Sequence, residues 1–73
     1  MIRVEEYKNT DGDTKSYKIS ASADTKAEVD NASISDYIGL PSDAERIELM
    51  SDIMTTEGHL AFMRSDGNWN WVS

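Results

Sequence analysis

The chain has 73 residues, a formal charge of −7, no cysteine and a single histidine. That length makes one domain near the lower limit of a self-sufficient core, with no disulfide or thiolate–metal site to staple it. One histidine argues against a zinc centre and against a histidine-based triad.

Ile2 to Tyr7 and Thr14 to Ala21 read as a first antiparallel hairpin turning at Asp11-Gly12. Centred there, Ile2 meets Ala21, Val4 meets Ile19 and Glu6 meets Tyr17. Glu5 and Lys18 pair on the other face. Lys8 falls opposite Lys15, a clash of like charges that a longer loop or a bulge would relieve. Asn9, Asp11 and Asp13 have the spacing of the first ligands of a calcium loop. Thr14 stands where the obligatory glycine belongs and Ser20 where the bidentate glutamate belongs, so turn chemistry accounts for them and no metal site is expected.

Ser22 to Leu40 is the least regular stretch. Asp24 is placed to cap a single helical turn over 23–29, and the same residues would serve as an acidic connector. Ile34, Tyr37, Ile38 and Leu40 are apolar enough to be pinned on a core. Pro41 to Gly58 supports two readings. Ser42 with Glu45 forms a capping box, and Ile47, Met50 and Met54 fall at helical spacing, with Gly58 as the stop. Against this, Ser51-Asp52-Ile53-Met54-Thr55-Thr56 is rich in β-branched residues and runs into a Glu57-Gly58 turn.

Leu60 to Val72 carries both tryptophans, the one phenylalanine and the second Asp-Gly corner, Asp66-Gly67. A two-residue loop there sets Phe62 against Trp71 and Arg64 against Trp69. One face then holds Leu60, Phe62, Trp69 and Trp71, with Arg64 able to lie over the Trp69 ring. Such a face is either core or an exposed strip that binds a partner or a sugar ring. Phe62, Arg64, Trp69 and Trp71 are the candidate binding residues.

The charge is concentrated. Residues 24–57 hold nine acids against Lys26 and Arg46, while the flanks balance. Phosphate backbones would be repelled, so nucleic acid is not an expected partner. There is no basic amphipathic stretch, no apolar run of spanning length and no signal h-region after Met1, so neither membrane attachment nor signal-directed secretion is expected. Acid pairs such as Glu5/Glu6 and Asp11/Asp13 are what a 29% charged surface produces by default. No phosphate-binding glycine pattern occurs. No catalytic residue, cofactor or metal ligand is assigned, and the expectation is that the protein is not an enzyme.

The run Ala23 to Val29, then Gly39-Leu40-Pro41, Ser51 to Thr56, Gly58 to Met63 and Ser65-Asp66-Gly67-Asn68-Trp69-Asn70-Trp71 resembles small uncharacterised phage and prophage proteins encoded among virion-structure genes. In those proteins the stretch matching Glu45 to Thr55 is strand-like, with glycine and serine where this chain has Leu49, Met50 and Ser51. That departure keeps the helix reading open here. The resemblance implies no catalytic residues. It favours a mainly β fold: two Asp-Gly hairpins and a fifth strand around 47–55, forming a small antiparallel sandwich or barrel. The alternative is an α+β arrangement with a helix at about 43–55.

The function it implies is a non-enzymatic structural or accessory protein of a phage capsid, tail or fibre. Its partners would be itself, as a homo-oligomer, or other virion proteins. It would reside in the host bacterial cytoplasm during assembly and in the virion afterwards. The alternatives are a protein- or glycan-binding module using the Trp/Phe/Arg face, and an acidic DNA-mimic inhibitor using 24–57.

Overall fold

The computed structural model describes residues 1–9, 12 and 15–73. Asp11, at the first expected corner, and Asp13 and Thr14 of the calcium-like spacing lie outside them. The architecture is mainly β, as the sequence led us to expect. Seven strands make one sheet, joined by a short helix and a 3₁₀ turn. The sheet is mixed and open, so the expected antiparallel sandwich or barrel is corrected to a single twisted layer.

β1 (Ile2–Asn9) and β2 (Ser16–Ala23) form the antiparallel hairpin, in a different register from the one expected. Val4 faces Ala21, Tyr7 faces Ile19 and Lys8 faces Lys18, with an irregularity between Val4 and Glu6. The extra residue changes the parity of β1. Val4 and Tyr7, three apart, both lie over the core side, and Glu5 and Glu6 turn outward. β2 alternates cleanly, with Tyr17, Ile19, Ala21 and Ala23 buried and Lys18 exposed.

The chain then leaves the sheet. Thr25, not Asp24, caps α1 (Lys26–Asp30). The Glu28 N–H donates to Thr25 Oγ1 at 3.2 Å, and the Thr25 N–H returns to Glu28 Oε2 at 3.3 Å. Val29, 2% exposed, is the residue this turn delivers to the core. A 3₁₀ turn at Ile34–Asp36 leads into β3 (Tyr37–Ile38), which pairs parallel with the start of β1.

The stretch 41–58 holds two short strands joined by turns, and no helix. β4 (Arg46–Ile47) and β5 (Asp52–Thr55) lie end to end along one edge of β2, both parallel to it. Between them a turn interrupts the ladder. The Ser51 N–H donates to Glu48 O at 3.2 Å, and Met50 takes φ +68°. Here β2 would be left with an unpaired donor. The Ser51 hydroxyl, fully buried, accepts the Ile19 N–H at 2.9 Å instead. β6 (Leu60–Met63) and β7 (Trp69–Trp71) complete the sheet in the order β3-β1-β2-β5-β6-β7.

The core sits on one face of the sheet, around Ile19, Ala21, Ile53 and Ala61, under the segment that carries Val29 and Tyr37. Among the described residues, no segment packs across the other face. It shows Lys18, Ser20, Ser22 and Met54, with Leu60 and Phe62 half-buried.

Two substitutions test the interrupted ladder. Ser51→Ala strands a buried N–H and is expected to cost about 1–3 kcal/mol. Met50→Gly relieves a left-handed backbone on an exposed side chain and is expected to add about 0.5–1 kcal/mol, net of glycine's entropy cost. Chemical denaturation of each variant checks both signs.

Candidate functional site: the C-terminal edge and its groove

The hairpin of β6 and β7 turns through Ser65-Asp66-Gly67. The Gly67 N–H donates to Arg64 O at 3.0 Å, the Arg64 N–H to Asn68 O at 3.0 Å, and Gly67 takes φ +85°. This is a type I turn followed by a left-handed glycine, the three-residue hairpin loop. Asp66 Oδ1 accepts the Asn68 N–H at 3.0 Å and holds the corner. The expected two-residue loop is therefore one residue too short.

The consequence is a register shift by one, and a shift by one exchanges faces. Ala61 pairs with Trp71, Phe62 with Asn70 and Met63 with Trp69. Trp69 and Trp71 lie over the core with Ala61 and Met63, while Phe62 is on the uncovered face beside Asp52 and Asn70. The four candidate residues do not form one strip. Arg64 reaches Asp66 at 3.9 Å rather than the Trp69 ring. The cation over an indole is Lys26, with Nζ 5.3 Å from the Trp71 ring centroid.

Both tryptophans are half-buried and anchored through their ring nitrogens. The Trp69 Nε1–H donates to the Tyr37 hydroxyl at 2.9 Å, and the Trp71 Nε1–H to Asp30 Oδ1 at 2.9 Å. Buried indoles usually find such acceptors. The rings thereby hold the last strand to the segment that covers the sheet. Neither the anchor on Tyr37 nor that on Asp30 has a signal in the linear sequence, because both join residues more than thirty positions apart.

Trp69, Tyr37 and Met63 also line a groove of about 790 Å³, open to solvent, together with Asp30, Ile34 and Arg46. Ser16, also in its lining, donates a hydrogen bond to the Glu48 carboxylate, which ties the residue after β4 to β2. His59 is remote from the groove and faces Ser73 O at 3.2 Å. Among the described residues, no three His, Cys, Asp or Glu side chains are grouped to hold a metal ion, and no helix is long and apolar enough to cross a membrane.

The edge itself is the more distinctive feature. The Val72 N–H donates to Leu60 O at 2.8 Å, and Arg64 bonds Asn68 as above. By the alternation of an antiparallel ladder, the main-chain groups of Trp69 and Trp71 therefore point outward, past the last strand. Residues 67–73 are the longest uncharged run in the chain. Proteins ordinarily blunt a free edge with charge, proline or a bulge. The opposite edge does so: β1 is bulged at Glu5 and Glu6, carries Lys8 and is covered at its start by β3. β7 has none of these devices.

Burial pushes the Tyr37 phenol above its ordinary range, and the hydrogen bond from Trp69 offsets only part of this. The folded state then holds this proton more tightly than the unfolded state. The resulting stability is complete below pH ~10, the unperturbed tyrosine value, and is lost as pH rises through the raised one. Tyr37→Phe is expected to flatten the loss of stability above pH ~10, at a cost of about 1 kcal/mol at neutral pH for the lost Trp69 bond. Urea denaturation at a series of alkaline pH values checks this.

No protein-family profile, curated protein or solved structure matches the chain.

Proposed function

We propose that the protein is a non-enzymatic structural or accessory component of a phage particle, working through protein–protein contact that includes contact with its own copies. The observation that carries this reading is the uncharged, aromatic edge strand left open in a chain otherwise 29% charged. An open edge offers main-chain donors and acceptors to a partner strand, the commonest way in which sheets extend across molecules. The resemblance to proteins encoded among virion genes supplies the setting.

The glycan-binding alternative needed Phe62, Arg64, Trp69 and Trp71 on one surface, and the register separates them. The DNA-mimic alternative needed free carboxylates in 24–57. Asp30, Asp43, Glu48 and Asp52 instead accept hydrogen bonds from Trp71, Tyr17, Ser16 and Ser20. Neither reading gains support from the geometry.

Particles purified from a lysate of a phage or induced prophage that carries this gene are expected to contain the protein at a fixed copy number. Quantitative mass spectrometry of density-banded particles measures it. Absence from the particle and from its assembly intermediates would sink the reading.

A further inference from the structure

We propose that two copies of this chain join edge to edge through β7, antiparallel, about a two-fold axis at Asn70, so that one sheet continues through both protomers. This rests on the contact-protein reading above and adds the occupant of the edge and its register.

The edge is self-complementary. With the axis at Asn70, the outward main-chain groups of Trp69 meet those of the partner's Trp71, and those of Trp71 meet the partner's Trp69. Each is a hydrogen-bonded antiparallel pair that exchanges both of its bonds. Asn70 faces the partner's Asn70 as a non-hydrogen-bonded pair, with Cα atoms about 4.5 Å apart. Its side chain is exposed on the uncovered face, and a carboxamide both donates and accepts, so two of them can bond each other. On the other face, Trp69 lies beside the partner's Trp71, an aromatic cross-strand pair.

Charge selects this site over the rest of the surface. Each protomer carries −7, so most ways of bringing two copies together oppose carboxylates. In the proposed register, Asn68 opposes the partner's Val72 and no charged residue meets another. Charged groups beside the hairpin come in opposite pairs: Arg64 with Asp66, and Lys26 and Asp30, both in contact with Trp71. The strand is only three residues long, so the association is concentration-dependent rather than permanent.

Sedimentation equilibrium from about 1 μM to about 1 mM protein tests the pairing. The wild-type mass is expected to climb from 8.2 kDa toward twice that value. Asn70→Lys sets two ammonium groups against each other on the axis and is expected to stay at the single-chain mass, with an unchanged circular dichroism spectrum. Disulfide trapping is an independent arm, since the chain has no cysteine. Asn70→Cys places two thiols within bonding geometry, whereas Asn68→Cys leaves them about 13 Å apart along the strands. Under mild oxidant, the first is expected to form covalent dimer at least ~10-fold faster than the second.

Equal trapping rates, or a dimer that survives Asn70→Lys, would place the interface elsewhere while leaving self-association intact. A wild-type chain that is monomeric throughout overturns the pairing altogether. Particle content, measured separately, still decides the broader reading.

Discussion

β2 is the strand from which the rest of the molecule hangs, because its main chain is engaged along both edges. One side holds β1; the other holds β4 and β5 in succession, both running parallel to it. A parallel neighbour cannot follow by a tight turn, so the chain must leave the sheet and return. That excursion carries α1, the 3₁₀ turn and β3, and it becomes the cover over the core. The one weakness in the plan is the interruption at 48–51. There the fully buried Ser51 hydroxyl takes the place of a main-chain acceptor for Ile19, two residues before the fully buried Ile53.

The covering segment has few apolar residues to hold it down, and it uses acids instead. Glu28 and Asp36 accept main-chain N–H groups at the starts of their turns, Asp30 accepts from Trp71, and Asp43 accepts from the Tyr17 hydroxyl. Glu48 and Asp52 do the same for Ser16 and Ser20. These donors are neutral, so the bonds are charge-assisted hydrogen bonds, stronger than neutral ones; Glu28 in addition pairs with the N-terminal ammonium of Met1. The acidic middle of the sequence is therefore largely structural. Six of its nine carboxylates accept hydrogen bonds from hydroxyls, amides and indoles of the same chain, while most of the nine stay exposed to solvent.

This explains what could and could not be read from the residues. Strand β2 was legible because its alternation is strict, and the last hairpin was legible because Asp66-Gly67 sits between apolar runs. Register was not. A bulge at Glu5–Glu6 and one extra loop residue at Ser65 are each a matter of a single position, and each moves side chains to the other face. The helical spacing of Ile47, Met50 and Met54 misled because the strand is broken in their midst. Met50 sits in a turn at φ +68°, a backbone conformation that favours glycine and that helical spacing does not anticipate. The parallel pairing of β5 with β2 had no local signal, since it joins residues more than thirty positions apart.

The two edges of the sheet show the same logic from opposite sides. An edge strand is a template, and whether it is blunted reflects whether pairing is tolerated. β1 is blunted three times over, by a bulge, by charge and by β3. β7 is short and uncharged, and its two tryptophans are pinned by Tyr37 and Asp30 so that its main chain is presented in a fixed position. Fixing a strand beforehand lowers the entropy lost when another strand adds to it. The hydrogen bonds that anchor the indoles thus serve two ends: they fasten the cover to the sheet, and they hold the β7 edge ready.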